Sequence, residues 1–230
     1  MVRAFAVLLG TSCLLLADDE PRQKVTLTHT ERVDFPSGGW LRLKNSIGEV
    51  TVEGWDRPDV EITAIRSTKD SYAPRDRNKA SQELDKVRIT VGRQGPDLVI
   101  ATESPRHHGP SIGFDLEYRI KAPMNAALAA RHSTGEVHVA GLTSDIHVTV
   151  RNGGITLQLP QEGQYDIDAK SDIGDVTSDF PGHARRTHWI FGHQFAQATP
   201  AAHHLYLRVG FGDITILKIQ KPSPPGPPTP

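Results

Sequence analysis

Four acidic side chains directly follow glycines that recur along the chain: Glu49, Glu136, Asp175 and Asp213. If the glycines lie in stacked repeats, these carboxylates form a column. Such a column could bind Ca²⁺ through oxygen ligands or supply the acid and base for sugar cleavage. The chain lacks the G-G-x-G-x-D calcium repeat, and acidic residues also keep sheet edges soluble. We therefore predict solvated turns with no catalytic pair, and leave open whether the column binds calcium.

Residues 109–113, Gly-Pro-Ser-Ile-Gly, match the G-x-S-x-G pattern of hydrolase nucleophiles. That pattern exposes its serine only where a strand turns sharply into a helix. Here the polar run 106–108 precedes the motif and a strand-like run, 114–118, follows it. Because both flanks differ from the required turn, Ser111 is not predicted to be a nucleophile. We predict no catalytic residue anywhere in the chain.

Histidine occurs 11 times, and two groups stand close in sequence: His183, His188 and His193, and then His203 and His204. Zinc sites usually show tighter ligand pairs with cysteine or carboxylate. A strand also places residues five apart on opposite faces. We therefore predict exposed strand or loop histidines and no metal site. His138 and His147 alternate with valines, which places both on outward strand faces.

The tryptophans could stack on sugar rings or at protein interfaces: they are Trp40, Trp55 and Trp189. Trp55, in the run Gly-Trp-Asp, is predicted to cap the core. Trp189 stands near the basic residues 185–186 and is the better candidate for an exposed contact, although packing is the favoured role. Ligand-binding residues stay unassigned.

Composition excludes several classes of protein. The formal net charge of −1 gives no global field for nucleic acid or an acidic membrane. No Gly-rich phosphate loop precedes a helix, and no cofactor is predicted. Cys13 is the single cysteine, so the protein forms no internal disulfide and is held by its own core.

Both ends of the chain differ from its middle. Residues 1–17 read as a signal peptide, because Arg3 precedes an apolar run that stops before Asp18 and is shorter than the roughly 20 residues that span a bilayer. Residues 221–230 are Pro-rich and predicted to be a disordered tail. Residues 18–220 are predicted to form a single β-repeat domain, with N-terminal strands at 24–123 and glycine-repeat rungs at 124–220. The protein is predicted to be exported to the periplasm, the cell surface or the extracellular space.

A glycine recurs between two strand-like runs, first at Gly48 and then at Gly135, Gly153, Gly174, Gly192 and Gly212. The last five are 18 to 21 residues apart, and a near-constant period of this size predicts stacked supersecondary units. The copy around Gly192 is degenerate and is included for its spacing.

Apolar and polar residues alternate on both sides of these glycines, which is the pattern of half-buried strands. The inward sets are Val137 and Val139; Ile146, Val148 and Val150; Ile155, Leu157 and Leu159; and Leu205, Leu207 and Val209. A short helix is predicted near 77–86, and a hairpin between 87–91 and 98–102. The sequence thus predicts an all-β fold, a β-solenoid or stacked β-roll of short strands.

Three stretches resemble a known family: residues 45–56, which include Gly48-Glu49-Val50 and Gly54-Trp55-Asp56, then Ile120-Lys121-Ala122-Pro123, then the glycine repeat. They resemble the bacterial adhesin-like β-strand-repeat family of unknown function, the DUF4097-like proteins. The likeness covers roughly Val25 to Ile219. It implies a β-solenoid in an envelope or extracellular setting, and it supplies no catalytic residues.

We predict a noncatalytic exported protein with an adhesin-like binding or envelope structural role, whose partner is an envelope or extracellular glycan or protein. Two alternatives stay open. A polysaccharide lyase or hydrolase would need a close cluster of acidic and basic side chains on one face of the solenoid. A protein-binding component of an envelope complex would bind a protein and no glycan, with the Pro-rich tail as a spacer.

Overall fold

The structure is a computed structural model that describes residues 21–103, 110–186, 192–198, 200 and 203–219, without the side chains of residues 45 and 46. The predicted signal peptide and Pro-rich tail lie outside these residues, as do Cys13, His188 and Trp189. The described elements are β1 (Thr26–Asp34), β2 (Trp40–Ile47), β3 (Glu49–Trp55), β4 (Asp59–Thr68), α1 (Pro74–Leu84), β5 (Arg88–Gln94), β6 (Asp97–Glu103), β7 (Phe114–Pro123), β8 (Ala127–Thr134), β9 (Val137–Ala140), β10 (Ile146–Asn152), β11 (Ile155–Pro160), β12 (Tyr165–Ile173), β13 (Val176–Ser178), β14 (His183–Arg186), β15 (His193–Gln197), β16 (His203–Phe211) and β17 (Ile214–Ile219).

The strands form two sheets, which confirms the all-β prediction. The eight-stranded sheet has the order β1-β4-β7-β3-β9-β11-β17-β13, and the nine-stranded sheet the order β14-β15-β12-β16-β10-β8-β2-β6-β5. All the inward residues predicted from alternation are buried, and they join one hydrophobic core that both sheets enclose. Period-two alternation is the cause, since successive side chains of a strand point to opposite faces.

Five rungs build the middle of the molecule, each a strand of the nine-stranded sheet, a glycine turn and a strand of the eight-stranded sheet. The rungs are β2/β3, β8/β9, β10/β11, β12/β13 and β16/β17. Neighbouring rungs pair in parallel on both sheets. The repeat that the sequence predicted is therefore a stack.

The rungs do not stack in sequence order. β16 pairs with both β10 and β12, and β17 pairs with both β11 and β13. The last rung along the chain therefore lies between the third and fourth rungs. The copy around Gly192 is not a rung: Gly192 bridges Gly174, but the following strand, β15, runs antiparallel to β12 in the same sheet. Its spacing matched the repeat, but its chain does not cross to the other sheet.

The rung turns place five glycines in one column, in the spatial order Gly48, Gly135, Gly153, Gly212 and Gly174. All five have positive φ. A Cβ on Gly153 would lie 1.9 Å from the carbonyl oxygen of Gly135, and a Cβ on Gly212 would lie 2.0 Å from that of Gly153. Backbone bonds follow the column, for example from the Gly153 N–H to the Phe211 carbonyl at 2.8 Å. Only glycine permits this close approach.

Two smaller predictions also hold. Helix α1 begins earlier than predicted, because Pro74 stands in its first turn, where a missing N–H costs nothing. Its Ala80 and Leu84 are buried. β5 and β6 form the predicted antiparallel hairpin, with Gln94 paired to Asp97 across the turn.

Candidate functional site

The outer face of the nine-stranded sheet carries a row of positively charged residues, which we call the cationic row. In register across β2, β8, β10, β16 and β12 it consists of Lys44, Arg131, Thr149, Arg208 and Lys170. These strands alternate, so their buried residues form the core and this row faces solvent. Four cations thus lie side by side across five adjacent strands.

The rings of Trp40, His147 and Tyr206 lie beside this row on the same face; His147 and Tyr206 are exposed and Trp40 is half-buried. His147 lies between Trp40 and Tyr206, with ring centroids 5.0 Å and 6.0 Å apart respectively. Arg42 lies over the Trp40 ring at 5.4 Å, and Arg208 lies over the Tyr206 ring at 3.9 Å. Tyr206 is 43% exposed, which is unusual for a large side chain in a sheet. The rings offer flat surfaces for stacking.

Two adjoining clefts lie along these rows. The first, of about 670 Å³, is lined by Arg42, Lys44, Ala129, Arg131, His147 and Tyr206, among others. The second, of about 540 Å³, is lined by residues that include Arg151, Lys170, Arg208 and Gly210. Arg131 and Thr149 line both clefts, so the two adjoin at these side chains.

Some cations of this face have carboxylate partners. Arg42 donates to Asp97 with an Nε–Oδ2 distance of 2.5 Å, and Lys170 pairs with Asp172 at 2.6 Å. Arg208 pairs with Asp168. The Arg42 guanidinium, with the Trp40 N–H, lowers the pKa of Asp97, so Asp97 stays ionised at neutral pH.

Three other cations have no such partner. Within the part of the chain that the structure describes, none of Lys44, Arg131 and Arg151 forms an ion pair. All three are exposed, and all three line the clefts. Lys44 also stands directly opposite Arg131 on the neighbouring strand, an arrangement of like charges that destabilises a sheet. The clefts therefore carry uncompensated positive charge.

The acidic column predicted from the sequence forms, but it is interrupted. The first strand residues of the rungs are in register, so the acids align in the order Glu49, Glu136, Asp213, Asp175, with Gly154 between Glu136 and Asp213. The Glu136 carboxylate occupies the space above Gly154, where a Cβ would lie 2.3 Å from Oε2. All four acids are exposed.

The carboxylates at one end of the column bond to neighbouring turns. Asp213 Oδ1 accepts the Asp175 N–H at 2.7 Å, and Asp175 contacts His193 Nδ1 at 2.7 Å. Among the described residues, no group of three histidine, cysteine, aspartate or glutamate side chains is arranged to hold a metal ion. The carboxylates of Asp213 and Asp175 thus engage neighbouring turns, and the solvated-turn interpretation stays a prediction.

The serine motif lies in a different setting from a nucleophile elbow. The Ser111 hydroxyl and N–H both donate to Glu83 Oε2, at 3.1 and 2.8 Å, and β7 begins three residues later. Lys86 and the Ser111 N–H lower the pKa of Glu83 to about 2. Ser111 therefore fastens its loop to helix α1.

The remaining histidine and tryptophan candidates are dispersed. His183 and His204 are exposed, and His204 contacts Asp166 at 3.0 Å; His203 and His138 are half-buried. The Trp55 indole donates to the Asp59 carbonyl at 2.8 Å. Trp40, one of the three tryptophans considered for stacking, packs against His147, which lines the first cleft.

The cationic row was missed at the sequence level, although a signal for it exists. Each member stands four residues before the glycine of its own rung: Lys44 before Gly48, Arg131 before Gly135, Thr149 before Gly153, Lys170 before Gly174 and Arg208 before Gly212. Aligning the repeats on their glycines therefore shows a charged column. Reading each strand separately for alternation hides it.

One solved structure with a similar fold supports the architecture. Among solved structures, a putative cell adhesion protein from Clostridium sporogenes is similar over 84% of this chain and 100% of its own, with a TM-score of 0.52 and 13% identity. A putative adhesin from Bacteroides fragilis matches 84% of this chain and 97% of its own, with a TM-score of 0.30 and 11% identity. A comparison with curated proteins gives no significant match. No helix in the described ranges is long and apolar enough to cross a membrane.

The family model named Toastrack DUF4097 matches residues 41–217. This span begins in β2, ends in β17 and contains all five rungs. The β-solenoid-like fold and the family resemblance read from the glycine repeat are both confirmed. The chain therefore belongs to the Toastrack DUF4097 family.

Proposed function

We propose that this chain is an exported, noncatalytic, adhesin-like protein that binds a glycan of the cell envelope or extracellular space. The site is the pair of clefts on the outer face of the nine-stranded sheet. The observation that carries the proposal is the line of rings formed by Trp40, His147 and Tyr206 beside a cleft of about 670 Å³.

Stacking is the reason that this site suits sugars. An aromatic ring presents a flat apolar surface with polar edges, and sugar rings have apolar faces bordered by hydroxyls. The polar side chains around the rings can bond those hydroxyls. Because the clefts are open and adjoin each other, many weak contacts can add along a polymer.

Export and single-domain organisation are parts of the same proposal. The pattern of residues 1–17 supports secretion. One hydrophobic core that runs from Phe35 to Ile216 supports a single domain within 18–220. The structural neighbours carry adhesion-related names, which fits a binding role.

The test is size-exclusion chromatography of residues 18–230 with a panel of neutral and acidic polysaccharides, with both protein elution and polymer length recorded. We expect co-elution with at least one intact polymer. The double variant His147→Ala/Tyr206→Ala should bind about five- to 150-fold more weakly, because two ring contacts of about 0.5–1.5 kcal/mol each are lost.

The matched control is Phe211→Ala. Phe211 lies on the same strand as Tyr206, is 56% exposed and does not line either cleft, so its removal should leave binding unchanged. A shortened polymer would contradict the noncatalytic role and favour a lyase or hydrolase. If no polymer shifts the protein, the glycan proposal fails and the protein-binding alternative takes its place.

A further inference from the structure

We propose that the ligand of the two clefts is an acidic, carboxylate-bearing polysaccharide that lies across the strands along the cationic row. This inference rests on the proposed function and names its substrate class. Rings alone would suit a neutral glycan, so the argument depends on the charges of this face.

Three positively charged side chains at the clefts have no carboxylate partner among the described residues. Lys44, Arg131 and Arg151 are exposed at the clefts and form no ion pair among the described residues. The carboxylates of this face are already engaged, Asp97 by Arg42 and Asp172 by Lys170. An anion entering the clefts therefore meets three cations with free hydrogen-bond donors.

Cations of the cationic row stand opposite one another on neighbouring strands. Lys44 is opposite Arg131, and Arg208 is opposite Lys170, on hydrogen-bonded neighbouring strands. Like charges in this position oppose folding. Arg208 and Lys170 are offset by their carboxylate partners. Lys44 and Arg131 have no such partner among the described residues, so their pairing does not serve stability. Departures from such a local rule are expected at functional sites.

The length of the cationic row favours a polymer over a single sugar. The row crosses five adjacent strands, a distance of about 19 Å at the usual strand spacing. The two clefts adjoin at Arg131 and Thr149, which line both of them. A single sugar would occupy only part of them, whereas a chain crossing the strands would contact each cation in turn.

The arginines at the clefts favour a carboxylate as the anionic group of the ligand. Arginine binds a carboxylate through two parallel N–H···O bonds, and both Arg131 and Arg151 are available for this. Nucleic acid is a poorer fit, because the whole chain has a formal charge of −1 and Asp97, Asp168 and Asp172 lie on the same face. Rings and separated cations together match a polymer of acidic sugars.

The experiment compares polygalacturonate with its methyl ester, which has the same sugar chain without the charge. Titration calorimetry at low salt should show binding to polygalacturonate and at least tenfold weaker binding to the ester. The triple variant Lys44→Glu/Arg131→Glu/Arg151→Glu should bind polygalacturonate about tenfold or more weakly, since three ion pairs are lost. Added salt should weaken binding of the unaltered protein.

The matched control is Lys24→Glu/Arg75→Glu/Lys79→Glu. These residues are exposed and lie outside the clefts, and the change in net charge is identical. This variant should bind like the unaltered protein. If both triple variants bind equally weakly, the cationic row is not the site and the inference is wrong.

The remaining outcomes separate this inference from the proposed function. Equal binding of polygalacturonate and its ester would overturn the acidic ligand and keep glycan binding. Tighter binding of dextran sulfate or double-stranded DNA than of polygalacturonate would overturn the carboxylate class. Binding by no polymer of any kind would overturn the proposed function, and this inference with it.

Discussion

The outer faces of the two sheets carry charge in opposite ways. On the eight-stranded sheet, Arg32, Glu61, Lys121 and Glu53 are in register on neighbouring strands, so their signs alternate. Arg32 and Lys121 approach Glu61 to 2.5 and 3.6 Å. On the nine-stranded sheet, positive residues lie beside positive residues on neighbouring strands: Lys44 beside Arg131, and Arg208 beside Lys170.

A second row separates the two faces further. The eight-stranded sheet carries Thr51, His138, Thr156, Thr215 and Thr177 in register, where the nine-stranded sheet has its rings and clefts. Threonine suits a strand surface that serves only the sheet. The comparison teaches that one face of this stack pairs its own charges, while the other leaves cations unpaired among the described residues, as the proposed ligand site requires.

The largest expected effect is a loss of stability that affects both sheets, because the strands of both sheets are joined at the glycine column. Gly153→Ala should cost on the order of 3 kcal/mol in the free energy of unfolding, since alanine is strained at a φ of +131° and its Cβ would meet the Gly135 carbonyl. Urea unfolding measures this.

Gly92→Ala is the control for that substitution. Gly92 has open space around its Cβ position, so the change should alter stability by less than about 1 kcal/mol. Equal losses for the two variants would mean that the rungs can separate to accept a side chain.

The next effect comes from reversing one positive charge on each face and comparing the changes in Tm. Lys121→Glu places a carboxylate between Glu53 and Glu61 and should lower Tm by about 1–3 °C. Arg131→Glu places a carboxylate opposite Lys44 and should raise Tm by a similar amount. Differential scanning calorimetry checks both signs. A fall in Tm for both variants would contradict the assignment of the two faces.

The smallest effect concerns pH. Arg32, and then Lys121, lower the pKa of Glu61 from its ordinary value of 4.5. A lowered carboxyl pKa stabilises the fold above the ordinary value, and this contribution is lost as pH falls through the lowered pKa. Glu61→Gln should therefore lower Tm by about 1–2 °C at pH 7, and the difference should shrink below pH 4.5 and vanish once the pH is below the lowered pKa.

Lys44→Gln on the other face is the matched control for Glu61→Gln. Lys44 has no carboxylate partner in the described part of the chain, so its variant should show no such pH dependence in thermal scans at stepped pH. A gap for Lys44→Gln that closes with acid would show that this face also holds a stabilising pair.

Much of the fold was predictable because it depends on local rules. Alternation identified the buried residues from Val137 to Val209, and the glycine period identified the turns, since a strand that reverses against a stacked neighbour has few other options. The order of the rungs was not predictable. Rungs with the same inward and outward pattern fit any neighbour, so placing β16/β17 beside β10/β11 is a choice made by the whole stack.

The site was harder to predict for a related reason. Lys44 and Lys170 stand more than a hundred residues apart, and no spacing within one strand connects them. The stack brings them together through register. Trp40 gave no signal of its own, because its place beside His147 depends on β2 and β10 lying on either side of β8.

The position of the last rung has a consequence for how the chain folds during synthesis. The chain emerges from its N-terminus, so the stack can grow from β2/β3 to β10/β11 and must then stop. β12 and β13 find their parallel partners only on β16 and β17. Until residues 203–219 arrive, the open edges of β10 and β11 present unpaired backbone groups, which invite pairing with other chains. The rung formed by residues 203–219 therefore inserts between two earlier rungs and completes both sheets late in folding.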